Sequence, residues 1–274
     1  MSGPDQLPLL LDPAALVGRL DDPSIRVIDL SPGEVFGEHH VPGAVHLPYG
    51  ELVTSRPPVG GLLPDDASLL RVLRAAGIGP GVQVVAMDAE GGGAAGRLMW
   101  TLDALGHEHT ALLDGGLRAW VHEGYPLETG AGANPAGGTF EPTGERTNIR
   151  DAEAIMARLG DDDFICLDAR SAGEYDGSTV RAARGGHIPG AAHYEWTRAM
   201  DSGRNLRLRP LDEVRAELEA LGVTADREVV AYCHTHHRSA FSYALLRILG
   251  YPRPAGYPGS WSDWGNRHDT PVEV

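Results

Sequence analysis

The sequence predicts an α/β protein built from two tandem copies of one domain, each a mainly parallel sheet covered by helices on both faces. Three observations lead there. Short β-branched runs alternate with segments that are apolar at helical spacing, the pattern of parallel strands joined by helical crossovers. Landmarks of the first half return in the same order in the second. Between the halves, residues 130–147 have neither periodicity nor bulk, as a linker would.

Residues 12–20 read as a short helix with an aspartate cap and a proline in its first turn, and 25–30 as a buried strand. His40-Val41-Pro42-Gly43-Ala44 is a turn. A helix is predicted over 66–76, a strand over 82–87 and a helix over 94–105. Residues 112–120 read as a strand end, a glycine turn and another helix. Beyond the linker come a helix over 151–159, a strand over 164–168, a strand over 228–232 and a helix over 239–249 stopped by Gly250.

His187-Ile188-Pro189-Gly190-Ala191 repeats the first-half turn at an offset of 147 (187 − 40). Val229 to Cys233 repeats Val84 to Asp88 at 145 (233 − 88), and Gly259 to Trp264 repeats Gly115 to Trp120 at 144 (264 − 120). Near-constant offsets in one order imply a tandem duplication. The domains are placed at 1–129 and 148–274, with 130–147 as linker.

A chain of 274 residues, 42% hydrophobic and 22% charged, is long enough to bury two real cores. The net charge of −15 opposes binding to nucleic acid or to an anionic membrane. No apolar run approaches the roughly 20 residues that span a bilayer. Residues 1–6 lack the basic start and apolar core of a secretory leader, and two cysteines make no disulfide framework, so a reducing cytoplasmic setting is expected. Any anionic ligand then needs local positive charge. Arg238 with its histidines, and the group Arg181, Arg184 and His187, are the candidates.

Cys233 opens the turn from the strand 228–232 into the helix 239–249, and three histidines and an arginine follow it. At such a turn, loop N–H groups and the helix N-terminus converge on the sulfur and favour thiolate over thiol. That is the setting of a nucleophile. Cys166, inside the apolar run Phe164-Ile165-Cys166-Leu167, reads as inert core. The first half has Asp88 at the matching position, so it is expected to be catalytically silent, packing against the second half and walling one side of the site. The second copy is also longer between strand and turn, 19 residues (187 − 168) against 11 (40 − 29). The extra glycine-rich, basic segment over 177–186 is expected near the mouth.

Val-Ile-Asp and Leu-Asp-Ala-Arg strand ends, a His-Val/Ile-Pro-Gly-Ala turn in each half, Leu113-Asp-Gly-Gly-Leu-Arg-Ala-Trp120 and a cysteine loop in the second half alone resemble the two-domain rhodaneses. The resemblance covers essentially the whole chain, and the loop Cys233 to Ser239 is similar to the Azotobacter variant of that family. It implies two rhodanese-like domains and sulfur transfer by double displacement through a persulfide on Cys233, from thiosulfate to a thiophilic acceptor such as cyanide or a thiol. His234, Thr235, His236, His237, Arg238 and Ser239 are expected to surround the donor, with the planar donors of Arg238 on its sulfonate or carboxylate, and Arg184 and Trp196 to border the pocket. No metal or organic cofactor is implied, and the tight Cys/His cluster lacks structural-zinc spacing.

Two departures bear on the substrate. His234 stands where common thiosulfate-using members of the family have arginine and His236 where they have glycine, and neither fits the Cys-Gly-Ser/Ala-Gly-Val loop of mercaptopyruvate-using members. Glu174 precedes Tyr175 where many relatives carry a substrate-binding arginine, so either Arg170, Arg181 or Arg184 substitutes or the substrate is unusual. Three other readings stay open: 3-mercaptopyruvate as donor, a non-enzymatic persulfide carrier or anion-binding module, and a cysteine phosphatase. The phosphatase is disfavoured because only His234, Thr235, His236 and His237 separate Cys233 from Arg238, a short ring for a phosphoryl group.

Overall fold

A computed structural model describes residues 6–107, 109–143 and 145–274. The start of the chain, on which the leader argument rests, and Gly144 of the predicted linker lie outside the described residues. The chain forms two compact units, neither of them a single run. One comprises 1–52, 64–146 and 201–208; the other comprises 53–63, 147–200 and 209–274. A hairpin from the first half of the sequence therefore belongs to the second unit, and a short stretch of the second half to the first.

In the first unit a five-stranded sheet runs Leu10–Leu11, Thr110–Leu113, Gln83–Met87, Ile25–Asp29, Val45–His46. Its pairings are parallel. Buried strands of this kind are apolar throughout, as Val84, Val85, Ala86 and Met87 are. The helices beginning at Pro13 and Asp66 start on side-chain caps: Asp12 accepts from the Ala14 amide at 2.8 Å, as the sequence suggests, and Asp65 accepts from the Ser68 amide at 3.0 Å. Leu16, Val85, Leu113 and Trp120 close one core. The segment 201–208 is held by Arg207, which donates to Glu123, Asp12 and Asp114.

The second unit repeats this plan with a parallel sheet in the order Pro254–Gly256, Glu228–Tyr232, Phe164–Asp168, Ala192–His193. A single parallel bridge, Ile149 to Gly256, stands where the first unit has its outer strand. The duplication extends to side chains. The turn histidine His40 stacks on Phe36 at 4.0 Å, and His187 stacks on Tyr175 at 3.7 Å. Glu128 accepts from the Gly43 amide at 3.0 Å as Glu273 accepts from Gly190 at 2.9 Å. Ile155, Val230, Tyr232 and Trp264 form the second core, and Cys166 lies in it, 3% exposed.

Two predicted helices are shorter than the sequence suggested. The first spans Pro13–Val17 and that beyond the linker Ala152–Met156; turns follow each. The helix Leu211–Ala220 and the hairpin of Thr54–Arg56 with Val59–Leu62 were not foreseen.

Candidate active site

Parallel α/β sheets offer their sites at the carboxyl ends of the strands. In the second unit Tyr232 pairs with Asp168 at that edge, and Cys233 is the next residue. The strand is wholly buried, and the helix Arg238–Ile248 begins five residues after Cys233 (238 − 233). Between them the loop is pinned from below. The Cys233 amide donates to Ser260 Oγ at 3.2 Å, while Trp261 and Ser262 amides donate to the carbonyls of Cys233 and His234 at 3.0 and 2.9 Å. Ser260, in left-handed backbone at φ +49°, in turn donates to Tyr257 O at 2.7 Å.

Cys233 is 1% exposed. Burial alone pushes a thiol up. Here the Arg238 charge, the Ser239 hydroxyl and amide, and the Thr235 amide outweigh it and hold the thiol below its ordinary value. Cys166, buried without such donors and near Asp168 and Glu228, is pushed far up. The two thiols differ as the sequence suggests.

The first unit shows the same loop closed on a carboxyl group. Asp88 follows the strand Gln83–Met87, and its carboxylate accepts from the amides of Glu90, Gly91, Gly92 and Ala95 at 2.8 to 3.1 Å. Burial raises its pKa despite those donors. The loop is thus an amide cradle in both units, filled by a carboxylate in one and by sulfur in the other.

The loop residues meet different surroundings. His236 is fully buried at φ +53°, its Nδ1 2.8 Å from Ser239 Oγ. Trp196 stands edge-on to His237 at 6.1 Å and to Phe241 at 5.8 Å, walling the loop. His234 is half-buried, and burial, with Arg181 and Arg238 nearby, lowers its pKa against the pull of Glu174. That lowering corrects the expectation that this histidine contributes positive charge.

The arginines depart from expectation. Arg238, expected on the donor's sulfonate, directs both terminal nitrogens to Glu174 at 2.7 and 2.9 Å and also bonds the Cys233 sulfur. Its fork is engaged by a carboxylate that is 3% exposed. Arg184, expected at the pocket, donates instead to the carbonyls of Thr270 and Trp264, and to the Thr270 hydroxyl, none of them in the loop. Arg170 is buried on Asp168, its guanidinium 4.4 Å from the Trp261 ring. Arg181, in the inserted segment, is 60% exposed and lies 3.4 Å from Glu174. It is the more exposed of the two arginines that pair with Glu174.

Sequence reasoning missed the hairpin over 54–62. Gly60 donates to Ser262 Oγ at 3.0 Å, and Gly61, at φ +70°, comes so near the loop that a Cβ there would sit 2.0 Å from Thr235 O. The pair Gly60-Gly61 was the available signal, since adjacent glycines permit close backbone approach.

The rhodanese-like domain model matches residues 12–123 and 151–267, both halves of the duplication. The chain belongs to the rhodanese-like family. It is 43% identical to the thiosulfate sulfurtransferase of Pseudomonas aeruginosa over 274 residues, covering all of both chains. The thiosulfate sulfurtransferase of Azotobacter vinelandii is likewise 43% identical, with 98% of each chain covered. The 3-mercaptopyruvate sulfurtransferase of Escherichia coli is 30% identical, over 94% of this chain and 95% of its own. The chain is one of tandem rhodanese-like domains, and no helix among the described residues is long and apolar enough to cross a membrane.

Proposed function

We propose that this rhodanese is a thiosulfate sulfurtransferase working through Cys233. The Cys233 thiolate attacks the outer sulfur of thiosulfate; the S–S bond of the donor breaks and sulfite leaves with its electron pair. Cys233 then carries a persulfide, whose terminal sulfur a thiophilic acceptor removes, regenerating the thiolate. Such covalent catalysis divides one transfer into two steps. The carrying observation is the set of donors on the sulfur, the Thr235 and Ser239 amides, the Ser239 hydroxyl and Arg238, which are in place before the reaction begins.

In this reading residues 148–274 are the catalytic domain and 1–129, with Asp88 in its cradle, the silent one. With Arg238 tied to Glu174, Arg181 takes the sulfonate of the donor, supported by its exposure and its place beside the loop. His234, His237 and Trp196 line the approach. Cyanide or a small dithiol serves as acceptor, and the two free thiols suit the reducing cytoplasm. The test compares thiosulfate with 3-mercaptopyruvate at matched concentrations, with cyanide as acceptor. A higher kcat/KM for thiosulfate supports this assignment. A higher value for 3-mercaptopyruvate transfers the assignment to that donor, and sulfur uptake without turnover makes the protein a carrier.

A further inference from the structure

His236 occupies backbone in which a side chain is disfavoured and glycine is at ease, φ +53°, and its ring is wholly buried. A strained residue at a reacting centre points to a task for its side chain. The ring's Nδ1 lies 2.8 Å from Ser239 Oγ, and the Ser239 hydroxyl bonds the Cys233 sulfur. A thiolate only accepts, so in that bond the single proton of the hydroxyl points at sulfur. The hydroxyl oxygen must then accept from the ring, which requires a proton on Nδ1.

We infer that His236 is a positioning residue: by donating from Nδ1 it turns the Ser239 hydroxyl toward Cys233, completing the donor set on the anionic sulfur. The inference rests on the sulfur-transfer reading and assigns the histidine a role in it. Outer groups that fix a proton's direction act on the reacting atom without touching it. The other charged or titratable groups around the loop include Arg238 at the helix start, Glu174 and Arg181 paired with each other, the Asp168–Arg170 pair at the neighbouring strand end, and His234 and His237 on the loop itself. Ser260, on the turn below, contacts the Cys233 amide and is neutral.

The test is the pH profile of Cys233 alkylation by iodoacetamide, read by mass spectrometry on full-length protein, beside kcat and KM for thiosulfate. His236→Gly relieves the backbone and removes the donor. Ser239→Ala removes the hydroxyl and keeps the ring. His236→Asn, a residue tolerant of left-handed backbone, returns an N–H near the position of Nδ1. The Gly and Ala variants should each move the midpoint up by about half a unit or more, the double variant no further, and Asn should lie close to wild type. Shifts that add in the double variant, a wild-type profile in either single variant, or equal shifts in Gly and Asn overturn the inference. Ser239→Ala decides alone if the Gly variant does not fold. Failure of wild type to take sulfur from thiosulfate would instead count against the functional reading, and the alkylation profile is independent of it.

Discussion

Glu174 and Arg238 meet through two parallel N–H···O bonds of 2.7 and 2.9 Å, so the arginine that closes the cysteine loop is held by a buried carboxylate. Glu174 is itself fixed, since Ser171 and Glu174 form a capping box at the start of the helix Ala172–Tyr175. A bidentate fork of this kind sets the direction of the guanidinium as well as its place. It puts the Arg238 charge beside the Cys233 sulfur.

That pair has a pH signature. Burial pushes the Glu174 carboxyl up, but its bonds to Arg238 and Ser171 prevail and bring it down to about 2. A carboxyl depressed in the folded state stabilises the fold above its unfolded pKa, and the contribution is lost as pH falls through the folded value. Glu174→Gln should cost about 2 kcal/mol at neutral pH, and its gap from wild type in urea denaturation should close as pH falls from about 4.5 toward about 2. An unchanged gap across that range would remove the ion pair from the account.

Arg181 is assigned to the donor, so Arg181→Ala should raise KM for thiosulfate about tenfold and leave kcat within about twofold, the pattern of lost uniform binding. Steady-state kinetics over a range of thiosulfate decides it. A fall in kcat at unchanged KM would place Arg181 on the transition state instead.

The hairpin bears on the loop through Gly61. A Cβ there meets Thr235 O at 2.0 Å, and the backbone is left-handed besides. Gly61→Ala should displace the Thr235 segment and lower kcat/KM at least tenfold, while the fold survives by circular dichroism. Wild-type kinetics in this variant would show the loop indifferent to the hairpin.

The cradle of the first unit makes a stability prediction. Asp88→Ala strands four amides that the carboxylate now satisfies, and should cost about 2 kcal/mol or more in denaturant unfolding. Persulfide formation on Cys233 should persist. Loss of persulfide in a folded Asp88→Ala protein would assign the first unit a part in the chemistry.

Much of the fold was legible because strand ends and turns carry local signals. The strands 164–168 and 228–232 appear at their predicted bounds, and the repeated His-Val/Ile-Pro-Gly-Ala turns are clamped alike by Glu128 and Glu273. The place of Cys233 was legible because a strand-to-helix turn announces itself by pattern. The arginines were not. Arg238, Arg184 and Arg170 are indistinguishable as letters, and only folding shows that their partners are Glu174, two backbone carbonyls and Asp168. The hairpin was hidden for a related reason: its contacts with Ser262 span about two hundred residues of sequence, beyond any local pattern.

The central claim is that one sulfur, Cys233, is anionic and takes the transferred atom. Intact-protein mass spectrometry after brief exposure to thiosulfate, followed by peptide mapping, tests it most directly. The account predicts one added sulfur per chain, located on Cys233, absent in Cys233→Ser and retained in Cys166→Ser. Sulfur found on Cys166, or uptake that survives Cys233→Ser, would contradict it.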